Sequence, residues 1–251
     1  MNEVLFALLV FFCLTGASLG SLLLFTRLPV HHRRDDTQNV VRLIANIFVV
    51  MTSLVLGLMI NSAKGRFDGI NRDVHTFTTD LILLDRLLTL YGPDANDTHQ
   101  RLVVYAERAA DGNWTSRDPV LESDKTSEQL LNDVGSSLRA LKPADDAHLS
   151  TWNDAREQYR KVVELRWALV EQAEGSIPTS LLAMVVAWLV LIFASFGFRA
   201  PRNIVVLASF VAASALITGA LYLIVDMDAP FGGPIHISSA PLHRAIAEMR
   251  R

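Results

Sequence analysis

The sequence has one cysteine and none of the compact motifs by which many enzymes and metal proteins are recognised. Cys13 has no second cysteine with which to form a disulfide or a zinc site. The chain contains no Walker A loop, no glycine-rich dinucleotide turn, no HExxH sequence and no nucleophile elbow. We therefore expect neither an enzyme nor a site for a cofactor or a metal ion.

A large excess of either charge is also missing. The 23 lysine and arginine residues nearly balance the 26 aspartate and glutamate residues, so the net charge is only -3. Outside the short loops, no basic cluster is dense enough to follow a phosphate backbone. Nucleic acid is therefore not an expected partner.

The charges that are present avoid four apolar stretches, at residues 4–25, 43–60, 177–198 and 204–225. Each stretch has about 18 to 22 residues, and a helix needs about 20 residues to cross the hydrocarbon core of a bilayer. The first stretch follows Glu3 instead of a basic segment and is longer than the core of a secretory signal, so we interpret it as a span. The sequence thus predicts a multi-pass protein of the cell membrane, of the inner membrane if the cell is bacterial, with the lipid bilayer as its partner.

These stretches divide the chain into four parts. Residues 1–62 form a first transmembrane pair, 63–176 an extramembrane domain, 177–226 a second pair and 227–251 a tail. Turn signals divide the domain into four helical segments and leave no convincing strand. The predicted fold class is all-α: an integral membrane protein with four transmembrane helices and a helical bundle domain inserted between the second and third.

The first helical segment of the domain carries an unbroken heptad stripe. Its apolar residues alternate at spacings of three and four: Phe67, Ile70, Val74, Phe77, Leu81, Leu84, Leu88 and Tyr91. Such a stripe must be buried against other helices, and weaker stripes in two later segments fit an antiparallel four-helix bundle. Because no proline separates the second span from this segment, we expect one helix of about 50 residues to include both.

Two carboxylates, Asp226 and Asp228, lie where the last apolar stretch ends. The carbonyl end of a helix is already negative, so acidic residues there are unfavourable. Either they simply end the helix at the water boundary, or they meet a positive partner. An arginine clamp formed with Arg66 or Arg72 is a better candidate partner than calcium, because calcium needs six to eight oxygen ligands.

Polar residues inside the second span raise a related question. An amide in hydrocarbon needs a partner or water, so Asn46 should face the interior of the helix bundle or a wet cavity. Hydrogen bonding between helices and lining of a pore are both open interpretations.

Two sets of basic residues give opposite indications of the side of the membrane on which the domain lies. The short loops between predicted spans hold Arg27, Arg33, Arg34, Arg42, Arg199 and Arg202. Short basic loops tend to stay in the cytoplasm, which favours an extracytoplasmic domain. The domain's own membrane junctions are also basic, with Lys64, Arg66, Arg72, Lys161 and Arg166.

Several segments resemble a bestrophin-like membrane family that is classed as a domain of unknown function. They are "LVLGLMINSAKGRFDGINRDV" at 54–74, "LILLDRLLTLYGPDA" at 81–95 and "LIVDMDAPFGGPIHISSAPL" at 223–242. The order of spans and the "PFG" segment also resemble, more distantly, the bestrophins, which are pentameric anion channels whose second helix lines the pore. The resemblance implies a homo-oligomer, with a pentamer as one candidate, around a pore for inorganic ions. At helical spacing, the candidate lining positions are Phe48, Thr52, Val55 and Met59.

Two functions follow as hypotheses. In the first, the chain is a homo-oligomeric, bestrophin-like ion channel whose pore is lined by the second span. In the second, it is a membrane-anchored sensor or scaffold whose helical bundle binds a ligand or partner.

Overall fold

The structure of the protein is a computed structural model, and it describes residues 3–24, 35–111, 125–173, 175, 177–198, 200–201 and 203–250. These residues form eight α-helices: α1 Glu3–Leu24, α2 Asp35–Tyr91, α3 Asn96–Asp111, α4 Lys125–Ala140, α5 Asp146–Gln172, α6 Thr179–Gly197, α7 Ile204–Asp228 and α8 Ala240–Met249. A short 3-10 helix, Pro93–Ala95, precedes α3. No strand occurs in the described part of the chain, which confirms the all-α class.

Four of the helices are long and apolar enough to cross a membrane. They contain the candidate spans Val4–Leu24, Leu43–Tyr91, Thr179–Gly197 and Ile204–Asp228. The four predicted spans are therefore confirmed at the level of length and composition. Arg27, Arg33, Arg34, Arg199 and Arg202 lie outside the described residues, so the orientation inferred from the short loops stays a prediction.

The second span and the heptad segment belong to one helix, as predicted. α2 has 57 residues and no break between its apolar part and the heptad stripe. It ends at Tyr91. Gly92 follows with a φ of 100°, in the left-handed region that glycine tolerates, and Pro93 comes next. The sequence "YGP" thus sets the end of the helix through backbone conformation.

By contact clustering the chain separates into two units, and the first contains residues Met1–Gly65 and Ser176–Asp228. Within it, α1 packs against α6 and α7. Gly197 permits the close approach of α1, because a Cβ at this position would lie 2.2 Å from the carbonyl oxygen of Ser18. The buried core of the unit includes Leu14, Leu189 and Leu221.

The second unit contains Arg66–Gly175 and Ala229–Arg251. Seven members of the heptad stripe are at most 4% exposed, and Phe67 is partly buried against the same core. Pairs of hydrogen bonds show that α5 runs antiparallel to both α4 and α2. Trp152 and Tyr159 of α5 bond to Leu138 and Leu131 of α4. Gln158 and Gln172 of α5 bond to Asp80 and Asp73 of α2.

The helix α8 is absent from the sequence-based prediction, which leaves residues 227–251 as a tail. Its side chains Leu242, Ile246 and Met249 join the core of the second unit. α8 has only ten residues, so its apolar pattern covers fewer than three turns and is a weak signal. Before α8, the amide of Ile237 donates to the carbonyl oxygen of Pro230 at 2.9 Å.

The adjacent leucines 83 and 84 of α2 allow a matched test of the stripe. Leu84 is fully buried and Leu83 is 47% exposed. We expect Leu84→Ala to lower the free energy of unfolding by about 2–5 kcal/mol, because it leaves a cavity in the core. Leu83→Ala should change it by less than about 0.5 kcal/mol. Thermal unfolding of the purified protein in detergent, followed by near-UV circular dichroism, measures both; equal losses would contradict the assigned face.

Candidate functional site

The predicted pore positions lie on the side of α2 that packs inside the first unit. Thr52 and Met59 are 2% and 5% exposed, and Phe48 and Val55 are half-buried. The ring of Phe48 lies 6.2 Å from that of Trp188 on α6, centroid to centroid. Within a single chain, these four side chains therefore face other helices; as lining positions of an assembled pore they stay a prediction.

A different face of α2 is exposed over its membrane segment. At helical spacing this face, called here the outer stripe, contains Asn46, Val50, Leu54, Gly57 and Asn61, and all five are exposed. At 100° per residue these positions fall within about 80° of one another. Asn46 therefore does not face the interior of its own unit, and water or another chain must meet its amide.

Asp226 and Asp228 are buried at the end of α7, with exposures of 0% and 7%. The Oδ2 atom of Asp228 accepts a hydrogen bond of 3.1 Å from the backbone amide of Ile177, just before α6. The amino end of a helix is positive and has unsatisfied amides. The beginning of α6 therefore offsets the unfavourable position of this carboxylate at the end of α7.

The predicted clamp arginines belong to the second unit. One guanidinium nitrogen of Arg66, Nη2, donates to the carbonyl oxygen of Gln172 at 2.8 Å, at the end of α5. A positive charge at this place stabilises α5, because the carbonyl end of a helix is negative. Arg72 is exposed. The clamp between these arginines and the two aspartates stays a prediction, and no metal-binding group of three His, Cys, Asp or Glu side chains occurs among the described residues.

Sequence reasoning missed a buried carboxylate in the second unit that contacts an imidazole. Asp85 lies beside the heptad stripe and is only 5% exposed. Its Oδ1 atom lies 2.8 Å from the Nε2 atom of His99 on α3. Burial raises the pKa of Asp85 above its ordinary value, and the nearby imidazole partly opposes that shift. The neighbouring Arg86 pairs with Glu248 of α8 at 2.7 Å.

Comparison with known proteins places the chain in a family. The sequence model of the Bestrophin-like domain matches residues 12–242. The chain belongs to the Bestrophin-like family. A search of curated protein sequences gives no match.

Solved structures of bacterial bestrophin homologues share the fold of this Bestrophin-like chain. A bestrophin homologue from Klebsiella pneumoniae superposes with a TM-score of 0.68 at 15% identity over 98% of both chains. A single-substitution variant from the same organism gives a TM-score of 0.65 at 14% identity over 99% of both chains. At sequence identities this low, the similarity is evidence for a shared fold and not for a shared function.

Two substitutions of Asp228 distinguish the effect of its hydrogen bond from the effect of its charge. We expect Asp228→Ala to lower the free energy of unfolding by about 1–3 kcal/mol, because the amide of Ile177 loses its buried acceptor. Asp228→Asn retains an acceptor oxygen and should stay near the wild type. Thermal unfolding in detergent measures both, and equal losses in the two variants would instead favour a charge clamp.

The buried Asp85 predicts a pH dependence. A carboxyl whose pKa is raised by folding stabilises the fold below its unfolded pKa, and this contribution is lost as the pH rises through the folded value. The stability of the wild type relative to Asp85→Asn should therefore fall as the pH rises from about 4, near the unfolded pKa, through the raised folded pKa. Unfolding curves across this range measure the difference, with the exposed Asp68→Asn as control; a flat difference would contradict the burial effect.

Proposed function

We propose that this Bestrophin-like chain forms a homo-oligomeric ion channel in the cell membrane, with α2 lining the pore. Family membership supports a channel over an enzyme, because bestrophins are anion channels. The observation that carries the proposal is the pair of exposed amides, Asn46 and Asn61, on the outer stripe of α2. Several copies around one axis would turn these amides toward a shared aqueous path.

The outer stripe has the chemistry of a narrow pore. Asn46 and Asn61 are 15 positions apart, which is about 22 Å along a helix. Between them, Val50 and Leu54 are 69% and 61% exposed and would form an apolar constriction. Such constrictions gate ion pores by excluding water.

An exposed lysine extends the outer stripe of α2. Lys64 lies three positions after Asn61 and is exposed. Copies of Lys64 around an axis would form a ring of positive charge at one end of the stripe. A ring of this kind favours anions over cations, so we propose inorganic anions as the permeant class.

A sensor or scaffold is the second candidate. The uninterrupted helix α2 favours it, because residues of this one helix belong to the core of each unit. A ligand bound in the helical bundle would then act through a shift of that helix. This function requires no conductance.

Cysteine accessibility distinguishes the outer stripe from the inner face of α2. In a Cys13→Ser background, we expect a charged methanethiosulfonate to block current through Leu54→Cys and to leave Thr52→Cys unaffected, because only Leu54 is exposed. Planar bilayer recordings with the purified oligomer measure both. The background protein alone is the control.

Two results would contradict the proposal at different levels. Block of Thr52→Cys without block of Leu54→Cys would place the inner face, with Phe48, Val55 and Met59, at the pore. A monomer in detergent that carries no current would remove the channel and leave the sensor.

A further inference from the structure

A cleft between α4 and α5 gathers three arginines, and no role has yet been given to it. It lies wholly in the second unit and has a volume of about 460 Å³. This is within the range of small-molecule sites. Its polar lining consists of Arg139, Asn153, Arg156, Glu157, Tyr159 and Arg160.

The walls of the cleft are fixed by contacts that cross between the two helices. The hydroxyl of Tyr159 donates to the carbonyl oxygen of Leu131 at 3.0 Å, and Trp152 Nε1 donates to that of Leu138 at 2.8 Å. Gly135 makes the first contact possible, because a Cβ there would lie 2.3 Å from the Tyr159 hydroxyl oxygen. A glycine inside a helix is about 1 kcal/mol less favourable than alanine. The hydrogen bond that Tyr159 can form beside Gly135 offsets this cost in helix stability.

Among the described residues, the three guanidinium groups of the cleft have no carboxylate partner. No described carboxylate comes within 4.0 Å of the guanidinium groups of Arg139, Arg156 or Arg160. Glu157, the one carboxylate in the lining, lies 3.6 Å from the amine of Lys161. Arg156 and Arg160 are four positions apart on one helix, and like charges at this spacing repel each other.

Two of the arginines contact neutral groups. Arg139 Nη2 donates to the hydroxyl of Ser136 at 3.2 Å. The guanidinium carbon of Arg156 lies 4.6 Å from the centroid of the Trp152 ring. Both arginines are exposed, and neither contact brings a negative charge to the guanidinium, so an anion from solvent can reach it.

We propose that this cleft is a binding site for a ligand that carries phosphate groups. A guanidinium group presents two parallel N–H donors that match the oxygens of a phosphate, and several arginines suit a multivalent oxyanion better than a single halide. The amide of Asn153 and the hydroxyl of Tyr159 can contact the uncharged part of the ligand. The site lies outside the membrane helices, so its occupation does not depend on conduction through the channel.

The ligand has two possible sources, a soluble phosphate compound and a lipid headgroup. Inorganic pyrophosphate is the probe for the first, and nanodiscs with or without phosphatidic acid are the probe for the second. Titration of the full-length protein in detergent with pyrophosphate, at constant ionic strength adjusted with sodium chloride, should give saturable binding. By mass action, bound pyrophosphate should also raise the melting temperature.

Substitutions test whether the cleft is responsible. We expect Arg139→Gln, Arg156→Gln and Arg160→Gln each to weaken binding by about tenfold or more, as the loss of a charge-assisted hydrogen bond implies. Arg156→Lys keeps the charge and loses the paired donors, so it should bind with intermediate strength. Arg101→Gln, on α3 and paired with Asp97, is the matched control and should bind as the wild type does.

The outcomes are distinct. Arginine-dependent binding of pyrophosphate supports a soluble ligand, and arginine-dependent binding of phosphatidic acid alone supports a lipid headgroup. Absence of saturable binding in both arms, or equal weakening by Arg101→Gln, overturns the site. If one variant unfolds without ligand, the other two single variants still decide the result.

Discussion

The fold of the second unit depends on one continuous apolar stripe along the second half of α2. Every other helix of that unit, including α8, contributes side chains to the core that the stripe begins. Because the stripe repeats at three and four residues over more than three heptads, its helix has one face that must be covered. Antiparallel helices supply the cover, and the short connection between α4 and α5, residues 141–145, favours that arrangement.

In each unit, a charged side chain lies beside the end of a neighbouring helix. Asp228 at the end of α7 accepts a hydrogen bond next to the start of α6, and Arg66 of α2 donates to the carbonyl oxygen of Gln172 at the end of α5. Each pair places a charge beside a helix terminus of opposite partial charge. Acidic residues at a carbonyl end are thus tolerated where a second helix begins beside them.

The sequence was sufficient for the parts of the structure that depend on long periodic patterns. The four spans, the union of the second span with the heptad segment and the buried members of the stripe all follow from patterns of 18 residues or more. Local features were not predictable. Helix α8 is too short to give a strong period, and the pairing of Asp85 with His99 depends on how α3 folds back against α2. The face of α2 that lines a pore stays a prediction, because a helix that is apolar all round gives no periodic pattern from which to choose a face.

The exposed amides of α2 limit what the membrane segment can do. An amide transferred into hydrocarbon without a partner costs several kcal/mol. A hydrogen bond to another chain or to water offsets most of that cost, because an amide–carbonyl hydrogen bond in an apolar medium contributes about 4–6 kcal/mol. Each of the exposed amides of Asn46 and Asn61 therefore needs one of these two partners. In the proposed channel, a shared aqueous path along the outer stripe would supply water to both amides.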